Sequence, residues 1–454
     1  MSLLALICNL KRIDTPLQTM TKRHHHSPTL KKGGRGGICR KSLHTTLLAL
    51  TLLATLPAQA TDTIAFWTIG MKPKFTDYFT NLASQYQQQN PGIKIEWQDY
   101  PGEVIQTKLA ASIAAKNPPA LVNLNVPWAE EYARDGLIQP VDALLASKNQ
   151  YAPGPLADLT FNGKLYGFPH YENLSVIVYN KAILQQAGLA KPPATLDDEL
   201  QWATQIAAKT GKAGFAPALG KIDGLFLHQG LPLLNGKQAV FNSANHVELV
   251  KKLAAAYAAK ALLRDKLFAE DNFPAAIEAY KGGRLAMLVS APSVLTRIET
   301  DAKDIYAQSE VAPAPLGANG VPDGCWLFHF AIPSGVPAAR LPATAKFAQF
   351  LTNDANQLAF AKLAGVFPSS QNASKDAAFT TLSKNPGLTE RAQVMAARGL
   401  PQARSLYVTG ILDYDALRKI LVQAVEAAVT GKKEPKLALD EAVAVWNKKL
   451  VSRK

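Results

Sequence analysis

The chain is 454 residues long, which points to two lobes or domains rather than one compact core. Apolar residues make up 48% and charged residues 19%, a balance that excludes an intrinsically disordered chain. The formal net charge of +14 is uneven: nine of the 49 Lys and Arg and one of the 35 Asp and Glu fall in residues 1–60, leaving +6 for the rest. Those remaining cations are scattered along helix-like stretches without the basic stripe that nucleic acid needs, so no nucleic-acid partner is expected.

The first element is a leader. Leu43–Leu56 is a mostly apolar run of 14 residues, shorter than the roughly 20 that span a bilayer. Lys31, Lys32, Arg35, Arg40 and Lys41 precede it, and Ala58-Gln59-Ala60 follows with the small-x-small form of a signal-peptidase site. Cleavage is expected before Thr61, which places the mature protein in the periplasm. The basic region ahead of the apolar run is unusually long, so either the leader is extended or translation starts later, for example at Met20. The run His24-His25-His26, the glycines Gly33, Gly34, Gly36 and Gly37, and Cys8 and Cys39 belong to the removed part. Cys325 is then left without an intramolecular disulfide partner.

After the leader, Thr63–Thr68 reads as a short buried strand, followed by a helix over 75–88 and a stop at Asn90-Pro91-Gly92. Ile93–Gln98 alternates like a half-exposed strand, Val104–Lys116 has helical spacing, and Ala120–Val126 is a third strand. Strand, helix, strand, helix, strand is the grammar of a parallel sheet with crossover helices. Leu174–Tyr179 is a continuous apolar strand, as in a sheet covered on both faces. Thr195 is a good N-cap for a helix running to Lys209, with Asp197 and Asp198 in its first turn. Helices over 245–260 and 273–281, strands over 284–290 and 326–332, and two C-terminal amphipathic helices complete the reading.

Several segments carry a resemblance. Gly163-Lys164-Leu165-Tyr166-Gly167-Phe168-Pro169, an apolar strand ending Tyr179-Asn180-Lys181, the turn Ala187-Gly188-Leu189 and Pro192-Pro193-Ala194-Thr195-Leu196 occur in that order. Tyr280–Met287, Ala345–Leu351 and Gly365–Ser369 follow at similar spacing. Together they resemble the extracellular solute-binding proteins of ABC transporters, in particular the maltose-binding-protein-like family that captures sugars and oligosaccharides. The resemblance covers roughly residues 63–450. It implies an α/β fold with two lobes, hinge-linked parallel-type sheets and a ligand cleft between the lobes. The implied crossings lie near residues 170, 331 and 364. Lobe one is then 61–170 with 331–363, and lobe two is 171–330 with 364–454. The implied partners are a small solute, expected to be a carbohydrate, and permease subunits at the inner membrane. A monomer without cofactor or catalytic residues is expected. His170-Tyr171 departs from the small apolar residues of the family pattern, which leaves the ligand class open.

A sugar presents a C–H face to an aromatic plate and hydroxyls to amides, carboxylates and guanidinium groups. Aromatics at strand ends or in loops are therefore candidate plates: Trp67, Trp128, Tyr171 and Trp326. Candidate polar contacts are Asn125, His170, Glu172, Asp223, Asp323 and Arg404. Trp97, Trp202 and Trp446 read as core. The four histidines after the leader, at 170, 228, 246 and 329, have no ligand spacing, so no metal is expected. Phosphate loops and nucleophile elbows are absent from the sequence. A glycerol phosphate or a polyamine is the alternative solute. A secreted glycoside hydrolase is the rival class, since Glu172 with Asp223 or Asp323 could supply two carboxylates.

Overall fold

Side-chain alternation and strand order organise the described residues into two principal sheets, with two further two-stranded hairpins. The computed structural model describes residues 62–408, 411 and 414–451. The expected leader, its cleavage point before Thr61, Cys8 and Cys39 lie outside the described residues. The strands of the two sheets are β1 (Asp62–Ile69), β2 (Ile93–Tyr100), β3 (Leu121–Asn125), β4 (Phe168–Asn173), β5 (Val176–Asn180), β6 (Met287–Ser290), β7 (Ser309–Pro313), β8 (Trp326–Ala331) and β9 (Phe367–Pro368). The first sheet has six strands in the order β9-β4-β8-β3-β1-β2, and the second has three in the order β6-β5-β7.

The two sheets define two lobes, and helices cover both. In lobe one, Phe66, Phe79, Phe168, Phe330 and Phe347 form one core, and Ile105, Leu109, Val122 and Tyr132 form another. Lobe two buries Ile177, Leu200, Phe226, Leu253, Leu421 and Trp446 in its larger core. The C-terminal helices Tyr414–Val429 and Pro435–Val451 pack there. The Trp446 indole N–H donates to the Leu417 carbonyl at 2.8 Å. The helix Leu196–Thr210 shows how local chemistry fixes an element. The Thr195 hydroxyl accepts from the Asp198 N–H at 3.1 Å, and the Asp198 carboxylate accepts from the Thr195 N–H at 3.1 Å. This capping box satisfies donors that the first turn leaves open.

The expected parallel character holds only for part of the first sheet. β1 and β3 pair parallel, but β8 runs antiparallel to both β3 and β4. In the second sheet β5 is antiparallel to both neighbours. A strand that returns from the other lobe enters its sheet from the opposite end, which accounts for the reversed direction of β8.

Sheet membership shows where the chain passes from one sheet to the other. β4 stays in the first sheet to Asn173 and β5 starts the second at Val176, so the first crossing between sheets is at 174–175. β8 belongs to the first sheet from Trp326, so the second crossing between sheets precedes it. β9 pairs with β4 through Pro368. Phe379, Leu388 and Ala392 then pack in lobe two. No helix among the described residues is long and apolar enough to cross a membrane.

Candidate functional site

The first two crossings touch each other. Gly324 lies in the segment between β7 and β8 with φ +76, and a Cβ there would sit 2.1 Å from the Ser175 hydroxyl oxygen. Only glycine combines that backbone conformation with that approach. Beside this contact opens a cavity of about 310 Å³. Its walls carry Ser175, Lys221, Asp271, Phe273, Asp323, Trp326 and Arg404 among other residues.

Two large aromatic rings face this space. Trp326, at the start of β8, is 39% exposed, and Phe273, at the start of the helix Phe273–Lys281, is 37% exposed. The Lys221 ammonium stands 5.6 Å above the Trp326 ring. The Phe273 N–H donates to Asp271 at 3.1 Å, and the neighbouring Asn272 amide donates to the Pro217 carbonyl at 2.9 Å, so the loop before Phe273 is tied down.

Behind the cavity lies a charged cluster. Glu172 on β4 is buried. Burial raises its carboxyl well above the ordinary value, the Asp158 carboxylate adds to the rise, and the Arg404 guanidinium opposes it. Asp158 is also raised by burial, against the opposing effects of Ser405 and Arg404. Burial pushes the Cys325 thiol up to about 12, which keeps it protonated and unreactive. The arrangement presents aromatic faces, carboxylates, one ammonium and one guanidinium to a common space. Such a set binds an amphiphilic polar solute.

The structure brings together Asp323, Trp326 and Arg404 on the cavity wall, with Glu172 beside them. It places the other candidates elsewhere. Trp67 packs edge-on against Tyr100, ring centroids 5.1 Å apart, in a lobe-one core. Trp128 lies against that same core, and Asn125 is its helix cap, accepting the Trp128 N–H at 3.0 Å. Asp223 accepts the Tyr414 hydroxyl at 2.6 Å, fastening a lobe-two helix to the C-terminal helix.

His170 and Tyr171 are core residues for an identifiable reason. The β8–β4 register pairs Phe328 with Tyr171 and His329 with Pro169, leaving His170 as an extra residue. This bulge turns both side chains to one face. Tyr171, 8% exposed, stacks on Phe328 at 4.9 Å, and His170, 1% exposed, stacks on Phe360 at 5.0 Å. Burial lowers the His170 pKa to about 3.

Sequence reasoning missed Phe273, Lys221, Ser175 and Asp158. Phe273 carried a signal: in Asp271-Asn272-Phe273-Pro274 it stands among polar and helix-starting residues, outside any apolar run. Among the described residues no group of three or more His, Cys, Asp or Glu could hold a metal ion.

A two-lobed α/β protein with a polar, aromatic-walled cavity at its crossings has the architecture of a solute receptor. Residues 81–389 match the bacterial extracellular solute-binding protein family, and the chain belongs to that family. Among curated relatives, the sn-glycerol-3-phosphate-binding periplasmic protein UgpB of Escherichia coli (strain K12) is 27% identical over 451 residues, covering 90% of this chain and 98% of that protein. A solved structure from Synechococcus sp. MITs9220, provisionally assigned as an oligosaccharide periplasmic-binding protein, superposes with a TM-score of 0.78 at 27% identity, covering 86% of this chain and 99% of that one. An ABC transporter solute-binding protein from Thermotoga lettingae TMO, bound with α-D-tagatose, superposes at 0.63 with 21% identity, covering 86% and 100% respectively.

Proposed function

We propose that the chain is the periplasmic binding subunit of an ABC importer, holding a sugar or oligosaccharide between its lobes and delivering it to permease subunits. The observation that carries this reading is the pair of exposed rings, Trp326 and Phe273, in one cavity with Asp271, Asp323, Lys221 and Arg404. Rings suit the C–H face of a sugar and the charged groups suit its hydroxyls. Family membership supports it, as does the likeness to the Synechococcus structure provisionally assigned to oligosaccharide binding. The reading is of capture without turnover, with the leader removed on export.

One observation favours a second solute. Lys221 and Arg404 bring two cations to the same cavity, and UgpB, whose name gives sn-glycerol 3-phosphate as its ligand, aligns along most of the chain. A thermal-shift screen over glucose, maltotriose and sn-glycerol 3-phosphate separates the two. A saturating ligand at 100 times its Kd stabilises by about 2.7 kcal/mol. The sugar reading expects that gain with a saccharide and no new product by chromatography. A shift with glycerol phosphate alone moves the assignment to the second solute, and release of cleaved saccharide overturns capture without turnover.

A further inference from the structure

The segment from Ala403 to Val408 belongs to both lobes. Ala403 packs in a lobe-two core, and Val408 lies against the other lobe-two core that also takes up Ile411. Between these anchors the segment leans on lobe one. The Ser405 N–H donates to the Asp158 carboxylate at 2.7 Å, and Tyr407 packs against a lobe-one core. Arg404 sits between Ala403 and Ser405, half-buried, and its guanidinium lines the cavity. The guanidinium donates to the Ala403 carbonyl at 2.5 Å and passes over Gly154 of lobe one. A Cβ on Gly154 would lie 2.5 Å from the Arg404 Nη1 atom.

These contacts have a common consequence. Asp158 and Gly154 both belong to the short lobe-one helix Pro153–Asp158. One grips the backbone next to Arg404, and the other leaves the space that the guanidinium crosses. We propose that Asp158 and Gly154 are positioning residues for the ligand site. They seat the 403–408 strap on lobe one so that Arg404, carried by a segment anchored in lobe two, faces the cavity only when the lobes are together. Contact between Arg404 and a solute is thereby tied to closure. The inference rests on the proposed ligand site, but the strap can be followed without any ligand.

The test combines hydrogen exchange of the strap with ligand affinity, using the full mature chain and maltotriose and sn-glycerol 3-phosphate as probes. Asp158→Ala removes the acceptor for the Ser405 amide. Exchange in 404–408 should rise roughly tenfold or more, and affinity for whichever probe binds should fall by a similar factor, the scale of a lost charge-assisted hydrogen bond. Asp158→Asn keeps an oxygen acceptor and should return both readings to within about threefold of wild type. Gly154→Ala gives the complementary result. Its added methyl meets the far end of a flexible side chain, so the guanidinium moves, affinity falls and strap exchange stays at the wild-type level. Unchanged strap exchange in Asp158→Ala overturns the proposal, as does unchanged affinity in Gly154→Ala with a bound probe. Failure of both probes to bind wild type, with strap exchange responding as expected, instead counts against the assigned solutes and leaves the seating of the strap supported.

Discussion

At the residue scale, burial separates ligand candidates from core. Trp326 and Tyr171 are both aromatic and both lie on strands of the first sheet that adjoin a passage between the sheets, yet one is exposed in the cavity and the other stacked on Phe328. Their truncations should therefore fail in different assays. Trp326→Ala should cost about 1–3 kcal/mol of ligand binding, measured by calorimetry, with little change in unfolding. Tyr171→Ala should cost about 3–5 kcal/mol of folding stability, measured in urea, on the scale of buried aromatic truncations. Equal binding losses in two equally stable variants would contradict the placement. The exposure of Trp326 was legible, since it follows Asp323-Gly324-Cys325 rather than an apolar run. The sequence could not demote Tyr171, because a one-residue bulge leaves no mark in composition.

At the element scale, the sequence was most legible where periodicity and punctuation agree. Thr195 and the two aspartates after it predict the helix that forms at Leu196–Thr210, and the strand expected at Ile93 begins there. The signal failed where strands are short or polar. β4 carries Pro169, His170, Tyr171 and Glu172 and has no alternation to read, although it lies inside a sheet covered on both faces. β9, of two residues, is too brief for any pattern, and β7 (SEVAP) mixes polar, apolar and proline residues without a run. Strand direction was illegible as well, because it depends on which end of the sheet a strand enters. The contact between crossing segments offers its own test. Gly324→Ala puts a methyl against Ser175 at positive φ. A cost of about 1–3 kcal/mol is expected in urea unfolding, and pairing it with Ser175→Gly should recover the steric share but not the backbone share. A neutral Gly324→Ala would mean that the two crossings do not meet so closely.

For the whole molecule, the buried histidines of the first sheet set a dependence on pH. Burial lowers both His170 and His329 to about 3, whereas an unfolded histidine takes up its proton near pH 6.5. Between those values the unfolded chain binds more protons than the folded one, so stability falls as pH drops from 6.5 toward 3. Each histidine contributes a loss of about 2 kcal/mol between pH 7 and pH 5. His170→Phe places a ring of similar shape among Phe330 and Phe360. Urea unfolding of this variant at the two pH values should show the loss reduced by about 2 kcal/mol, and an unreduced loss would place the proton elsewhere. The division into two lobes was readable from length and element order; which sheet each strand joins is not written in its own composition, because it is set by pairing with strands distant in the chain.

The bulge at His170 has an effect beyond hiding two rings. Side chains on a strand alternate between faces, so one additional residue inverts the parity of everything after it. With the bulge, Tyr171 follows Phe168 onto the aromatic face and Glu172 pairs with Leu327 on the other. Without it, Glu172 would fall on the face of Phe168 and Phe330, its carboxyl driven into a stack of rings. The chemical character of the back of the cavity is thus decided by how the strand takes up one extra residue: the bulge absorbs His170 as a half-turn, delivering a carboxyl rather than a tyrosine to the cluster that Arg404 completes.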